Sequence, residues 1–466
     1  MTYSRESSFI ENAFANRTKV EAYTNFIIAV QLNKIITPSI LSNSLRQLIL
    51  NNPTLALTLN FKDDSRQSGI IKPVDLILFD DVVEFSTINN PINEYELKRF
   101  NQVICQVGIN KPLWRVKVYQ YKDIQYITVI CEHTLFDGNS GVYFHKDLVE
   151  ILDKNLNHDN CINVLFDVNN DSHIFDENPP LSALQLIDLY NVPFLTLLKI
   201  IWIQTLCPKW LLTYWRTYFN KDLPNLIENP VFKYKPTKKI IDCNHKLINL
   251  SSAEVTTLFT NLKRNNFTFT PVISALSCQT FTDIIAPIAT PGVKWSTSVQ
   301  VLVNGRRFYP GLQKQLKYTI CVSAVEVILG PITRSNLTKS IDYVKQQVQQ
   351  DIETKFSFKL MGALKYANPA TLLDSLVGTY SRPTIELSNL GNQIIKTENL
   401  EVENIWFSQD LGASAQIGYS IISTKGGMNI VLGVVPEIYH LKNEKDQKVI
   451  DLYAEELKNR LLTYGN

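Results

Sequence analysis

One histidine has neighbours whose types and spacing suit proton transfer. His133 follows a long apolar run, Asp137 stands four positions later, and Gly138 comes directly after the aspartate. A titratable group at the end of a buried strand more often faces a cleft than a core. A neutral imidazole can take the proton from a hydroxyl or amine as that group attacks a carbonyl carbon near neutral pH. We therefore predict that His133 is the general base of an acyl transfer from a thioester.

The acceptor is predicted to attack the thioester directly, without a covalent enzyme intermediate. The sequence has no Gly-x-Ser-x-Gly motif, in which a serine would act as the nucleophile, and no glycine-rich loop that would bind phosphate. The remaining histidines lack the setting of His133, and we expect them to be structural or solvent-exposed. They are His145, His158, His173, His245 and His440.

Asp137 can be interpreted in two ways. Its carboxylate could act as a base or a metal ligand, but a structural role suits a tight turn beside a catalytic histidine better. There the carboxylate would pair with an arginine and hold the shape of the loop. Arg306 and Arg307 are the expected partners because they also follow a strand-like segment. Gly138 would leave room for a ligand to approach the backbone closely.

The elements around this motif can be predicted from their periodicity. Residues 114–131 form a predicted hairpin whose second strand ends at the motif, and Asn139 or Ser140 is the expected cap of the helix that follows. Apolar residues recur at helical spacing over 38–51 and alternate over 54–61, which predicts a helix and then a strand. Strands and helices alternate in both halves of the chain, which indicates an α/β protein with mixed sheets.

Length and composition indicate a two-domain globular protein. The chain has 466 residues, of which 45% are hydrophobic and 19% charged. We predict an N-terminal domain over 1–180, an apolar crossover segment over 181–229 and a C-terminal domain over 230–466. A net charge of +2 argues against a nucleic-acid partner. Seven scattered cysteines and an N-terminus without a signal-peptide pattern predict an intracellular protein without a disulfide framework.

The crossover segment contains an unusually apolar run. Between Pro193 and Pro208 lie about 14 mostly aliphatic or aromatic residues, and Trp210, Trp215 and Phe219 follow soon after. A membrane-spanning helix needs roughly 20 such residues, so this run is too short to span a bilayer. It is predicted to be an interfacial helix or a wall of an apolar substrate channel, with a buried core helix as the alternative.

Several segments resemble the fungal alcohol acetyltransferase family. That family belongs to the acyl-CoA-dependent acyltransferases, which include BAHD enzymes, carnitine acyltransferases and peptide-synthetase condensation domains. The sequence His133-x-x-x-Asp137-Gly138 matches the signature of this superfamily, and residues 303–310 resemble the arginine-bearing loop of BAHD enzymes. Other similar segments, in the expected order, are Glu11, Arg17, Tyr23-Thr24-Asn25-Phe26, residues 269–276, Ser388-Asn389-Leu390-Gly391, Phe407-Ser408-Gln409 and Gly426-Gly427-Met428. The plant Asp-Phe-Gly-Trp-Gly motif is missing, and Glu132 stands where condensation domains often have a second histidine.

The resemblance implies two chloramphenicol-acetyltransferase-like domains with mixed sheets and an active-site tunnel between them. Acetyl-CoA would be the co-substrate, with no permanently bound cofactor and no metal. His133 and Asp137 would be the catalytic-motif residues, with His133 as the general base. Asp137 would pair with Arg306 or Arg307 and stay away from the reacting atoms.

The resemblance also suggests an oxyanion donor and a class of acceptor. Ser388 or Asn389 would hydrogen-bond the tetrahedral oxyanion. Related fungal proteins acetylate small alcohols, sterols or the amine of sphingoid bases, and the apolar run favours a lipophilic acceptor taken from a membrane surface. We expect a monomeric, cytoplasmic enzyme that can associate peripherally with the endoplasmic reticulum or lipid droplets.

Two other classes of function remain open from the sequence. The chain could be a non-catalytic lipid-binding protein with a relict acyltransferase fold. It could also be a scaffold of a membrane complex, which predicts an apolar surface patch and no cleft beside His133.

Overall fold

A computed structural model describes the protein as two large mixed β-sheets with helices packed on their faces, together with a three-stranded and a two-stranded sheet. The described residues are 3–20, 25–181, 186–202, 206–208, 210–211, 214, 231–232, 243–376, 383–411 and 415–464. The strands in this part of the chain are β1 Arg5–Glu6, β2 Phe26–Leu32, β3 Leu57–Phe61, β4 Gly69–Pro73, β5 Leu76–Leu78, β6 Val83–Thr87, β7 Trp114–Tyr121, β8 Ile124–Cys131, β9 Val164–Asp167, β10 Asn244–Ser251, β11 Thr297–Asn304, β12 Val322–Leu329, β13 Ile385–Asn392, β14 Val402–Gln409, β15 Ile417–Thr424 and β16 Gly427–Val434. The α-helices are Phe9–Lys19, Pro38–Asn51, Phe79–Val82, Glu94–Asn101, Gly138–Lys154, Val168–Asp171, Ile174–Glu177, Ile187–Tyr190, Phe194–Ile201, Ser252–Arg264, Phe269–Thr280, Ala286–Ala289, Leu337–Thr354, Phe356–Gly362, Pro369–Leu376, Pro436–Tyr439 and Val449–Thr463.

The first large sheet contains five strands in the order β14–β2–β8–β7–β6. Neighbouring strands are antiparallel except for β6 and β7, which are parallel, so the sheet is mixed. One face shares a core with helices Pro38–Asn51 and Gly138–Lys154, and helix Glu94–Asn101 packs against the other face. Strand β8 is buried along nearly its whole length, as expected for a strand that is covered on both sides.

The second large sheet contains six strands in the order β10–β16–β15–β13–β11–β12. Strand β13 is parallel to both β11 and β15, and the other pairs are antiparallel. Its core includes residues of helices Phe269–Thr280, Leu337–Thr354 and Val449–Thr463. The helical stretch Phe269–Ala289 is long and apolar enough to cross a membrane by length and composition, but its most apolar part is 61% buried in the protein. We therefore interpret it as a core helix.

One strand is exchanged between the two halves of the chain. Strand β14 lies late in the sequence, yet it pairs with β2 at the edge of the first sheet. It also bonds to the second sheet, because the Asn429 side-chain amide donates to the Ile405 carbonyl at 2.6 Å and the Gln409 amide donates to the Glu386 carboxylate at 3.0 Å. The predicted C-terminal range 230–466 did not anticipate that this segment completes the N-terminal sheet.

Most local predictions around the site are confirmed. The helix predicted over 38–51 is helix Pro38–Asn51, which Thr37 caps through its side chain, and the predicted hairpin is the pair β7–β8. The strand predicted over 54–61 is shorter, because residues Pro53–Ala56 form a 3₁₀ turn before β3 begins at Leu57. The α/β class with mixed sheets is confirmed.

The apolar run of the crossover segment forms a helix, Phe194–Ile201, on the surface. Phe194, Leu195 and Leu198 are 71%, 78% and 46% exposed. The buried-core alternative is therefore wrong for these residues. The rest of the segment lies partly outside the described residues.

Candidate active site

The His133 motif connects the end of β8 to a helix of 17 residues, Gly138–Lys154. We predicted Asn139 or Ser140 as the cap of this helix, and that prediction is wrong. Asp137 is the cap, because its extended backbone lets its carboxylate accept hydrogen bonds from the Ser140 backbone N–H at 3.0 Å and from the Ser140 hydroxyl at 3.1 Å. A carboxylate at this position also interacts favourably with the positive end of the helix dipole.

The same carboxylate forms a buried ion pair with the second half of the chain. Its Oδ2 atom accepts hydrogen bonds from Arg306 Nη1 at 2.7 Å and from the Cys321 backbone N–H at 3.0 Å. Only 3% of the arginine side chain and 1% of the aspartate side chain are exposed. Arg306 also donates to the Leu316 and Thr319 carbonyls at 2.8 and 2.7 Å. Asp137 therefore holds the loop against the other half of the chain, and its oxygens are fully used.

The arginine prediction is resolved by these contacts. Arg306 is the partner, whereas the Arg307 side chain is exposed. Burial alone would lower the pKa of Arg306, but the adjacent Asp137 carboxylate reverses this and keeps the pKa above its ordinary value. The guanidinium therefore stays charged and neutralises the buried carboxylate.

An N-terminal helix that the sequence analysis did not predict forms a wall beside His133. Phe14, on helix Phe9–Lys19, stacks on the imidazole with 4.8 Å between ring centroids and 18° between planes. Phe26 of β2 contacts the same imidazole at 4.9 Å, and the Arg17 guanidinium lies 5.0 Å from the Phe14 ring centroid. The capping box formed by Ser8 and the glutamate three residues later was the sequence signal that would have revealed this helix.

Burial keeps His133 neutral at physiological pH. It lowers the pKa of this histidine to about 4; the Asp137 charge and the Phe136 backbone offset part of the effect, and the Arg17 charge adds to it. Nδ1 is buried and has no hydrogen-bond partner among the described residues. The side chain nevertheless remains partly exposed, so the accessible part of the ring lies away from Nδ1. An unprotonated imidazole with an accessible edge can accept a proton.

Glu132 links the N-terminal helix to the motif. Its buried carboxylate accepts hydrogen bonds from the Thr18 hydroxyl and from the Thr134 backbone N–H, each at 2.5 Å. Burial raises the pKa of Glu132 to about 7, although these hydrogen bonds act in the opposite direction. The carboxyl group therefore titrates near neutral pH while it holds Thr18 next to the loop of His133.

The two oxyanion candidates face opposite sides of β13. The Asn389 amide donates to the Thr270 hydroxyl at 3.4 Å, and its carbonyl accepts from the Gly391 N–H at 2.9 Å. Ser388 points the other way, because side chains alternate along a strand. Its near neighbour on that face, Leu390, belongs to the core of the first sheet. The Ser388 hydroxyl has no hydrogen-bond partner in the described part of the chain, so Ser388 is the better candidate.

Gly138 has a different role from the one expected. We predicted that it leaves space for a ligand, but a Cβ atom at this position would lie 3.0 Å from Leu390 Cδ2 and 3.5 Å from Phe407 Cζ. The space beside Gly138 is therefore filled by side chains of β13 and β14. The glycine allows those strands to approach the start of the helix closely.

One cluster away from the His133 loop could hold a metal ion. Cys243, His245 and Asp410 place potential ligand atoms within 4.8 Å of one another. One ring nitrogen of His245 already lies 3.0 Å from the Asn101 amide, and Nδ1 is buried without a hydrogen-bond partner among the described residues. Direct attack on a thioester requires a proton acceptor and an oxyanion donor, so we assign no step to this cluster.

Solved structures with the same architecture are known. The chain matches the TRI3 trichothecene 15-O-acetyltransferase from Fusarium sporotrichioides with a TM-score of 0.68 and 13% identity, covering 99% of this chain and 95% of that one. It matches the first condensation domain of the CDA synthetase with a TM-score of 0.59 and 12% identity, covering 99% and 96%. These similarities establish the two-domain fold of the condensation and chloramphenicol-acetyltransferase type.

Sequence comparisons give the family. N-acetyltransferase SLI1 of Saccharomyces cerevisiae is 20% identical over 453 residues, which are 90% of this chain and 92% of SLI1. An uncharacterized protein of Schizosaccharomyces pombe is 24% identical over 450 residues, covering 91% and 90%. The alcohol acetyltransferase family model matches residues 7–457. The chain therefore belongs to the alcohol acetyltransferase family and is an acyltransferase.

Proposed function

We propose that the protein transfers the acetyl group of acetyl-CoA to the hydroxyl or amine of a lipophilic acceptor, with His133 as the general base. Family membership favours an enzyme over the non-catalytic lipid-binding or scaffold alternatives. The observation that carries the proposal is the state of His133. Its imidazole is neutral, its Nδ1 is enclosed, and the half-buried residue lies beside two aromatic side chains. A weakly basic imidazole can still accept this proton, because the acceptor hydroxyl or amine becomes much more acidic as it forms its bond to the carbonyl carbon.

The proposed reaction has two steps. His133 accepts the proton of the acceptor group as its oxygen or nitrogen forms a bond to the thioester carbonyl carbon, which creates a tetrahedral oxyanion. The Ser388 hydroxyl is the proposed donor to this oxyanion. The intermediate then breaks its carbon–sulfur bond, and the leaving coenzyme A thiolate takes the proton from the imidazolium. Asp137 keeps the loop in place through Arg306 and does not exchange protons with the substrates.

The walls beside His133 support a lipophilic acceptor. The half-buried Phe14 stacks on the imidazole, with the buried Phe26 behind it, and an aromatic surface of this kind favours alkyl or sterol-like groups over strongly hydrated ones. The acceptors that we propose are a long-chain alcohol, a sterol or a sphingoid base. One relative is named as an N-acetyltransferase and one structural neighbour as an O-acetyltransferase, so both kinds of acceptor atom belong in the test.

The test measures free thiol release from acetyl-CoA with a short alcohol, a sterol and a long-chain sphingoid base as separate acceptors. We expect release that depends on one acceptor and falls by about 10²–10⁴-fold in His133→Ala, the usual contribution of a general base. His158→Ala is the matched control, because that histidine is exposed on a loop. Undiminished release by a folded His133→Ala protein would refute the role of His133. Absence of release with every acceptor would refute acetyl-CoA as the donor or the proposed acceptor class.

A further inference from the structure

Helix Phe194–Ile201, within the crossover segment, exposes large apolar side chains to solvent. Phe194, Leu195 and Leu198 are 71%, 78% and 46% exposed, and farther along the segment Leu206 and Trp210 are 69% and 71% exposed. These five residues are called the apolar surface below. Large exposed apolar residues elsewhere in the described chain, such as Tyr95, Tyr366 and Ile394, are far apart in sequence.

Such a helix is not expected to remain in water. Six of the eight residues of this helix are apolar, and the polar residues Thr196 and Lys199 are three positions apart, on one face. Large exposed apolar patches on soluble proteins mark interaction sites. Helix Phe194–Ile201 has eight residues, which corresponds to about 12 Å. This is far less than the roughly 30 Å needed to cross a bilayer. The length therefore fits a helix that lies in the interface of a membrane.

The composition of the segment favours lipid over a protein partner. Trp202, Trp210 and Tyr214 are 39%, 71% and 56% exposed, and tryptophan and tyrosine are enriched at the boundary between lipid tails and headgroups. Between residues 189 and 221 every charged side chain is basic, and the sequence contains no aspartate or glutamate. The four basic residues are Lys199, Lys209, Arg216 and Lys221. A positive segment of this kind is complementary to anionic headgroups.

We propose that the apolar surface inserts into the headgroup region of an anionic membrane and holds the enzyme there peripherally. The short helix Ile187–Tyr190 precedes the segment and connects it to the catalytic region. The Tyr190 hydroxyl donates to the Val322 carbonyl at 3.4 Å, and Leu189 packs so closely on Gly305 that a Cβ atom added to Gly305 would lie 2.9 Å from the leucine side chain. Gly305 directly precedes Arg306, the partner of Asp137. Membrane insertion would therefore place the acyltransferase site next to a source of lipophilic acceptors, and this last step rests on the proposed function.

Vesicle flotation tests the membrane contact separately from catalysis. The full chain is mixed with phosphatidylcholine vesicles that contain or lack phosphatidylserine, and the floating fraction is measured. We expect binding that is stronger with phosphatidylserine. The double variant Leu195→Ser/Leu198→Ser should bind about 100-fold more weakly, since each lost leucine contact corresponds to roughly a tenfold change. Lys199→Gln should bind about fivefold more weakly to the anionic vesicles.

Two control variants show whether binding depends on this surface in particular. Ile394→Ser removes an aliphatic side chain that is 68% exposed elsewhere in the chain, and it should float like the wild type. His133→Ala should also float normally, so a failure of catalysis and a failure of membrane binding remain distinguishable. Flotation of Leu195→Ser/Leu198→Ser equal to that of the wild type would overturn the proposal. The proposal would also be overturned if the wild type does not float with either kind of vesicle. It would likewise be overturned if the wild type forms dimers that Leu195→Ser/Leu198→Ser does not form.

Discussion

Replacing Arg306 by methionine should destabilise the protein strongly, because the substitution leaves the Asp137 carboxylate charged inside the protein. Methionine fills a similar volume without a charge. The carboxylate would keep the hydrogen bonds from Ser140 and Cys321, but it would lose its counter-charge. The carbonyls of Leu316 and Thr319 would also lose their donors.

The expected magnitude follows from the burial of the pair. With exposures of 3% and 1%, both side chains are in the regime where removing one partner costs about 3–5 kcal/mol. For domains of this size that corresponds to a fall in the midpoint of thermal unfolding of about 6–20 °C. Arg307→Met is the matched control. Since the Arg307 side chain is exposed, its loss should change the free energy of unfolding by no more than about 0.5 kcal/mol.

A double-mutant cycle provides the decisive assay. Asp137→Asn leaves a good helix cap but removes the charge that balances Arg306. The double variant Asp137→Asn/Arg306→Met has no buried charge at this pair. Its loss in the free energy of unfolding should therefore be about 2–3 kcal/mol smaller than the sum of the losses of the two single variants. Unfolding is followed by circular dichroism in urea. If the two single effects add within about 0.5 kcal/mol, the pair is not coupled and the reasoning from its geometry is wrong.

Three further outcomes can be checked by single substitutions or by pH. Gly141→Ala should lower the unfolding temperature even though alanine favours helices, because a Cβ would lie 2.8 Å from Ile28 Cγ1 and 2.9 Å from Phe26 Cε2. Overpacking of this kind costs about 1–3 kcal/mol, and a higher melting temperature would contradict it. The free energy of unfolding of the wild type should fall as pH rises through about 7, because the folded-state pKa of the Glu132 carboxyl group is raised to about 7. Glu132→Gln should lack this fall. Urea midpoints that decrease equally in both proteins between about pH 5.5 and 8 would disprove this. For kcat/KM with an alcohol acceptor, which does not titrate in this range, the acid limb should have its midpoint near pH 4, since burial lowers the pKa of His133 to about 4; a midpoint near the ordinary pKa of about 6.5, in protein still folded by circular dichroism, would refute the lowering of this pKa by burial.

Local sequence patterns were sufficient for the elements that lead to the site. Helix Pro38–Asn51 and the β7–β8 hairpin follow from spacing and turn residues within a few positions of one another. The placement of His133 at the end of a buried strand follows from the same patterns. These predictions succeeded because each depends on interactions between residues that are close in the chain.

Features that depend on distant contacts were not predictable. Nothing in the composition of 402–409 indicates that its partner is β2, since periodicity shows that a segment is a strand and not which edge it joins. The choice between Arg306 and Arg307 was undecided for a similar reason. Neighbouring side chains in a turn can point inward or outward, and only the packing against the Cys321 backbone and the start of helix Gly138–Lys154 selects one.

The exchanged strand also affects how the protein can fold during synthesis. Strands β2 and β8 are complete by residue 131, but the edge of their sheet is covered only when β14 is made, about 270 residues later. At about 5–20 residues per second, the ribosome takes about 15–55 s to reach that strand. During this interval the nascent chain has an open strand edge that can pair with other chains. The N-terminal sheet is thus completed only near the end of translation, and the two halves mature together.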